Sequence, residues 1–270
     1  MSAAYSIGTD AEFFVTQGEE ITSAIGLIGG SKEEPLLVDK GNLQEDNILA
    51  EFAADPAHSL EEWEDNISAV HRQLIERLEQ DGYSLAMNSA AKVNKSLLKH
   101  PMARRFGCET DYNAYTMQPN ESPNPRIVGR TRVAGGHVHV GYEGITNELE
   151  RADFVRIMDV FMAAPAVVFT DSLGNSKEEA LRRTLYGQAG SYRPKTYGVE
   201  YRTLSNFWVS DKDLRKWVYN SVADCISQFE KDPLLTEDRM ADDFITYAIN
   251  NNNAGMAREI MQEFRVSEVG

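Results

Sequence analysis

Three short polar-x-polar elements, far apart in the chain, limit what it can fold into: Asp10-Ala11-Glu12, His137-Val138-His139 and Glu200-Tyr201-Arg202. Each sets two functional side chains two residues apart in an otherwise apolar or aromatic stretch. Residues two apart in a β-strand point to the same face, about 7 Å from each other. Three such strands side by side make a patch of carboxylates, imidazoles and a guanidinium. Such a patch is costly to bury unless metal ions or anionic ligands satisfy it. It is therefore the first candidate for a functional site.

The rest of the chain is organised around these elements. The first fifty residues read as a β-meander, with a hairpin turn at Gln17-Gly18-Glu19-Glu20 after Phe13, Phe14 and Val15. The glycine-rich run Ala24 to Lys32 lacks the spacing of a P-loop and reads equally well as a strand ending in a loop. Asp46 to Phe52 reads as a short strand with acidic ends. Leu60, Trp63, Ile67, Val70, Leu74 and Leu78 form a helical stripe, opened by Ser59 with Glu62 as a capping box and closed at Asp81-Gly82. Residues 101–130, rich in Pro, Asn, Gly and Tyr, read as a long irregular loop.

A second helix is expected from about Glu148 to Phe169, kinked by Pro165. Arg182 to Gly190 reads as a loop leading to the Glu200 strand. A third helix follows Ser210, with Leu214, Trp217, Val218, Ser221, Val222, Cys225 and Phe229 on its buried face. The last forty residues read as helical, broken at Asn250 to Asn253. Strands and helices alternate without a βαβ rhythm, which points to an α+β fold with an antiparallel sheet and helices on one side. No long linker divides the 270 residues.

Charge and composition remove several function classes. The net charge of −15 disfavours bulk nucleic-acid binding, leaving only local clusters such as Arg104-Arg105 and Arg126, Arg130 and Arg132. No run of about 18 apolar residues exists to span a membrane. The start of the chain has no signal-peptide pattern, which predicts a cytoplasmic protein. Cys108 and Cys225 read as free, buried thiols. No Gly-x-Ser-x-Gly elbow is present and neither cysteine has a histidine near it in sequence, so no covalent nucleophile is indicated.

His137-x-His139 is a metal-ligand spacing, flanked by Gly135, Gly136 and Gly141. A cupin reading would use Glu143 as well, but needs a downstream histidine. The remaining histidines, His58, His71 and His100, are all upstream, and an amidohydrolase fails for the same reason. His58 and His71 read as structural or solvated. Few histidines among many carboxylates imply a hard ion, Mg²⁺ or Mn²⁺. Glu200 and Arg202 read either as a structural ion pair or as a metal ligand beside a phosphate-binding guanidinium. Arg182, Arg183, Arg193 and Lys195 can add positive charge nearby.

Taken in order, these elements resemble glutamine synthetases. Gly8-Thr9-Asp10-Ala11-Glu12-Phe13-Phe14 resembles their strand with two metal-binding glutamates, here with a shorter first acid. Gly135 to His139 resembles their Gly-x-x-His-x-His strand, and Val199 to Arg202 their Glu-x-Arg element. The closer resemblance is to the phage-associated carboxylate–amine (COOH–NH2) ligases type 2 of the glutamine synthetase and glutamate–cysteine ligase superfamily. It takes in Gly29-Gly30-Ser31-Lys32, Asp46 with Glu51, Gly107 to Tyr115, Tyr186 to Gly190 and Thr203 to Trp208, about residues 5–210. Two departures stand out. Glutamine synthetases have an N-terminal domain before the first acidic strand, and none is expected ahead of Asp10 here. Only Asp46 and Glu51 are available as the second acidic pair, and they share a face only if a bulge or turn intervenes.

The resemblance implies a curved, mostly antiparallel sheet with helices on its convex side. It makes residues 1–270 a single amidoligase domain, helical from about 211. It implies an ATP-dependent ligase forming an amide through an acyl phosphate, in the host cytoplasm if phage-encoded. Asp10, Glu12, Glu51, His137 and Glu200 would hold Mg²⁺ or Mn²⁺, with Asp46 left open. Glu200, Arg202 and Arg193 are the implied catalytic set. Lys32, Arg202, His139 and Arg183 are the implied cofactor-binding set, with His139 free to orient substrate or hold its strand. The implied partners are a small-molecule or peptide carboxylate, an amine and, on superfamily precedent, a second copy of the chain. The competing readings are a non-catalytic nucleotide- or metal-binding module and a small guanidino or carboxylate kinase.

Overall fold

The computed structural model describes residues 4–104, 110–121, 123, 128–234 and 239–269. The Gly107-Cys108-Glu109 segment, Arg105 and Arg126 lie outside these residues. Alternation of apolar and polar residues builds the first strand, β1 (Tyr5–Gln17). Ile7, Ala11, Phe13 and Val15 are fully buried on one face, while Asp10 and Glu12 point to the other. The predicted hairpin follows, with β2 (Glu20–Thr22) returning on β1. Next come β3 (Leu36–Val38), β4 (Gly41–Asp46) and β5 (Leu49–Ala57). The expected single strand from Asp46 to Phe52 is two strands: Asn47, with φ +59°, turns the chain between β4 and β5.

Helix α1 (Leu60–Glu79) begins at Ser59, whose hydroxyl accepts the N–H of Glu62. The Glu62 carboxylate reaches back to the N–H of His58 at 2.8 Å, one residue earlier than a capping box requires. Its apolar stripe covers β5 and β4. Three short strands follow, β6 (Ser84–Ala86), β7 (Ala90–Lys92) and, after two 3₁₀ turns at Lys95–Lys99 and Met102–Arg104, β8 (Tyr112–Asn113). With β9 (Gln118–Pro119), β8 gives part of the expected irregular loop a regular structure at the sheet edge. Then come β10 (Thr131–Val133) and β11 (Gly136–Tyr142).

The predicted kinked helix is α2 (Glu148–Met158), a π turn at Asp159–Ala163 and α3 (Ala164–Ser172). Pro165 sits in the first turn of α3, where its missing N–H costs nothing, and the wider turn precedes it. Helix α4 (Ser176–Arg183) takes in Arg182 and Arg183, the first two residues of the expected loop to Gly190. The chain ends with β12 (Ser191–Lys195), β13 (Gly198–Tyr201), α5 (Lys212–Lys231), α6 (Asp242–Asn250) and α7 (Ala254–Phe264). The break at Asn250 to Asn253 falls where the sequence placed it. Among the described residues no helix is long and apolar enough to cross a membrane.

The main sheet runs β3-β4-β5-β1-β11-β13-β12-β8-β9, with β2 and β6 also on β1, and every ladder in it is antiparallel. Pro56 is accommodated where the β1–β5 register shifts, between Ile7–Ala57 and Thr9–Ala54, beyond the reach of β4. The helices cover the face opposite Asp10 and Glu12, as the α+β reading requires. On the carboxylate face, the small β7–β10 ribbon and its turns pack through a second core of Phe14, Ile48, Leu49, Val93, Ala103 and Ala134. Trp63 of α1 stacks on Trp208 at 5.7 Å. Trp208 in turn donates to the carbonyl of Gly136 at 3.3 Å. A side chain at Gly136 would bring its Cβ to 2.6 Å from the Ser205 carbonyl, so close approach demands glycine there.

His71 is structural. Its ring stacks on Phe13 at 5.4 Å and lies 5.9 Å from Phe52, under the strands that carry the acids. Burial, and after it the charge of Arg215, pushes its imidazole down to about 4. The folded chain resists a proton that the unfolded chain accepts, so stability is full above the ordinary histidine pKa of 6.5 and falls between there and about 4. The loss reaches about 3 kcal/mol at the acid end. His71→Phe keeps the stack and is expected to remove that loss. Urea midpoints of variant and wild type, compared from about pH 7 down to about pH 4.5, check it.

Candidate active site

Six adjacent strands, β4-β5-β1-β11-β13-β12, bring the functional side chains to one face by register alone. Gln44 pairs with Glu51, Glu51 with Glu12, Asp10 with His137, His139 with Glu200, and Glu200 with Arg193. Asp46 reaches the same face through the Asn47 turn. Two groups of possible ligands result, each with ligand atoms within 4.8 Å of one another: Asp10, His137 and Glu200, and Glu12, Asp46 and Glu51. Both border one cleft of about 320 Å³.

The first group is balanced by its own neighbours. Asp10 Oδ1 lies 2.5 Å from His137 Nδ1, and Asp10 Oδ2 lies 3.3 Å from His139 Nε2. Burial opposes the charge of Asp10, yet His137 and His139 outweigh it and hold this carboxyl well below the usual range. Glu200 meets three cations: Arg202, Arg193 at 3.2 Å and Lys195 at 2.8 Å. Burial and Asp10 work against its charge, but Arg202 and the histidines bring it down to about 2. Arg202 is buried, which disfavours its charge. Glu200, Asp10, Glu12 and Asp111 overcome that and raise its pKa. The ion-pair alternative for Glu200 and Arg202 is thus what the side chains form, and both still line the cleft.

The second group is short of positive charge. Burial, then Asp10, Asp46 and Glu12, push the Glu51 carboxyl well above the ordinary value. Burial and Glu12 raise Asp46 as well, against the pull of Lys32 and Arg202. Glu51 Oε2 is buried without a hydrogen-bond partner. Glu12 Oε2 accepts the N–H of Gly135 at 2.7 Å. Three carboxylates, one of them with an orphaned oxygen, suit a hard divalent cation. Asp10, His137 and Glu200 suit a second one. The donor set therefore fits Mg²⁺ or Mn²⁺.

The remaining sequence candidates divide. Lys32, Arg193 and Lys195 line the cleft with the two groups. His139 does not: its Nδ1 meets the Tyr197 hydroxyl at 2.6 Å, and its other nitrogen supports Asp10, so it holds the strand rather than a cofactor. Arg183 does not reach the cleft either. It is buried among the helices, bonded to Asn252 Oδ1 at 2.6 Å and 3.7 Å from Glu179, because Arg182 and Arg183 end helix α4 instead of opening the expected loop, and the two point apart. Arg182 borders the cleft, but it donates to the carbonyls of Ala134, Arg202, Thr203 and Leu204. The glycine-rich loop spends its amides on its own chain: Glu45 Oε1 accepts the N–H groups of Gly26, Ile28 and Gly29. It is not a phosphate cradle.

Three cleft residues were less visible in the sequence. Arg193-Pro194-Lys195 is a fourth polar-x-polar element, and its spacing was the signal available. Asp46 needed the turn at Asn47 to join Glu12 and Glu51. Gly135 leaves room for His137, since a Cβ there would lie 2.3 Å from His137 Nε2.

Residues 130–260 match the family described as Phage phiEco32-like COOH.NH2 ligase-type 2. His137, Arg193, Glu200 and Arg202 lie inside the matched stretch; Asp10, Glu12, Asp46 and Glu51 lie before it. Over that stretch the chain is similar to the carboxylate–amine ligases, the family that the ordered motifs resemble. No curated protein matches significantly. Among solved structures, a novel glutamine synthase homolog is similar at 12% identity over 96% of this chain and 67% of its own, with a TM-score of 0.40. A bifunctional glutathione synthetase from Pasteurella multocida is similar at 11% identity over 97% and 47%, with a TM-score of 0.42. Apo GmaS without ligand is similar at 11% identity over 98% and 69%, with a TM-score of 0.39. This chain thus spans about half to two thirds of those chains, and likenesses at this level carry no argument about activity.

Glu51→Gln keeps the side-chain shape and removes the buried charge. Without divalent ions the variant is expected to melt no lower than wild type. Its Mn²⁺ affinity is expected to fall at least about tenfold. Calorimetric titration and thermal melts with and without Mn²⁺ check both.

Proposed function

We propose that this chain is an ATP-dependent carboxylate–amine ligase using Mg²⁺ or Mn²⁺, with residues 1–270 acting as one catalytic domain. The observation that carries the reading is the division of charge in the cleft. One acid group is matched by Arg202, Arg193, Lys195 and two imidazoles; the other keeps a buried, unpartnered carboxylate oxygen on Glu51. Glu12, Asp46 and Glu51 would hold one ion and Asp10, His137 and Glu200 another. Such ions neutralise phosphate oxygens and align the nucleotide. Arg202 and Arg193, both at the cleft, supply guanidinium donors for the phosphoryl group in transfer. Lys32, on the Asp46 side, adds charge for the same nucleotide.

In the first step an oxygen of the substrate carboxylate attacks the γ-phosphorus of ATP. The bond to the bridging oxygen breaks and ADP leaves. In the second step an amine nitrogen attacks the carbonyl carbon of the acyl phosphate. The carbon–oxygen bond to phosphate breaks, phosphate departs with the electron pair, and the nitrogen loses its extra proton. The barrier is electrostatic, so positioned charge is what the protein must provide. At least one of the two substrates is a small molecule or a peptide group.

The test is metal-dependent release of ADP and phosphate in the presence of mixed carboxylates and amines. Arg202→Lys keeps the charge and loses the fork, and is expected to lower kcat by about 10²- to 10³-fold with intact metal binding. Failure of every carboxylate and amine mixture to yield ADP, with Glu200→Ala changing nothing, sinks the ligase reading. Phosphorylated product accumulating without amine makes the chain a kinase instead.

A further inference from the structure

Arg104, Arg130 and Arg132, from the two basic clusters of the sequence, come together in space with Lys95 and Lys99. Among the described residues, Lys95, Lys99, Arg104, Arg130 and Arg132 line a second cavity of about 690 Å³, with Leu98 at its wall and no acidic residue in the lining. Lys95, Lys99, Arg104 and Arg130 are exposed. In a protein with 42 acidic and 27 basic residues, a cavity whose described lining holds five cations and no acid is a marked local reversal of charge. It concentrates the field that would otherwise repel a polyanion.

Its position is as telling as its charge. Arg132 lines both this cavity and the catalytic cleft. Its guanidinium is fixed by Asn47 Oδ1 at 3.0 Å and by the carbonyls of Thr131 at 2.7 Å and Ala103 at 2.8 Å. Asn47 directly follows Asp46, so the wall between cavity and cleft is rigid and the two lie side by side.

We propose that this cavity is the docking groove for a single strand of nucleic acid, which presents the group to be ligated to the neighbouring cleft. The four exposed cations take successive phosphates, and Leu98 with the lysine and arginine stems gives the sugar and base an apolar floor. A membrane surface fits less well, because the large apolar side chains that are exposed, such as Leu37, Leu149 and Tyr247, lie elsewhere. A duplex fits less well too, because these cations converge on one concavity instead of spanning a broad face. The acidic remainder of the surface confines a strand to this route. That the bound strand is a substrate rests on the ligase reading; that it binds does not.

The test is fluorescence anisotropy of a labelled oligo-dT strand with the full chain, without ATP. Four phosphate contacts on a single strand give a salt slope of about −3, so affinity is expected to fall about 50-fold from about 50 to about 200 mM salt. Lys95→Glu with Lys99→Glu is expected to weaken binding at least about tenfold, and Arg130→Glu to weaken it independently. Lys212→Glu with Lys231→Glu, the same change in net charge on helix α5, is expected to leave it unchanged. Thermal melts confirm that each variant is folded. Absence of binding at low salt overturns the proposal. So does equal weakening by the α5 pair, or tighter binding to a duplex or to anionic lipid vesicles. If the unmodified chain does not bind the strand while metal-dependent ADP release stands, the groove assignment falls and the ligase reading does not.

Discussion

Everything at the cleft depends on the register of β1 against its two neighbours. Asp10 faces His137 and Glu12 faces Glu51 because β1 pairs with β11 and β5 in one alignment. A slip of one residue would turn the acids into the helix layer and Phe13 onto the charged face. The apolar alternation of Ile7, Ala11 and Phe13 forbids that slip by burial, and specific bonds reinforce it. The Thr9 hydroxyl donates to the His137 carbonyl at 2.7 Å, and the N–H of Glu12 to the Gly135 carbonyl at 2.9 Å. Core packing and site geometry are therefore one constraint.

Behind the charged face, the helix layer holds the Glu200 strand. The π turn after α2 places Asp159 where it accepts from the Tyr201 hydroxyl and the N–H of Gly190, both at 2.6 Å. Burial pushes that carboxyl up to about 6, against the lowering pull of Tyr201, Tyr115 and Gly190. Tyr201 stands between Glu200 and Arg202, so the buried network fixes both from below. Helix α4 does the same from the side, through the four carbonyl bonds of Arg182 and the Glu179 bond to Ser205 at 2.6 Å. The fold thus uses one buried arginine for its backbone and leaves Arg202 at the cleft.

Elements with strong local signals were legible. The α1 stripe and its Ser59 cap, the first hairpin, the third helix and the break before α7 depend on neighbours within a few turns. The end of helix α4 was not legible, because buried Arg182 and Arg183 look like the start of a polar loop until carbonyls and Asn252 are placed around them. The irregular loop hid a β8–β9 hairpin for the same reason: two-residue strands have no periodicity to read. Arg183 and His139 were drawn to the site by residue type, and their partners turn them to structural work.

The sequence alone determined the spacing of functional groups along each strand, the ordered motifs and the hard-metal character of the donors, since these follow from residue type and strand period. Tertiary structure decided how the acids divide. Which carboxylates meet cations and which meet each other is set by strand order and by the Asn47 turn. Charge compensation acts through space over a few ångströms, between residues as distant in sequence as Asp10 and Glu200. That is why Glu51 has an oxygen without a partner while Glu200 has three cationic side chains beside it, and why five scattered cations share one cavity in an acidic protein.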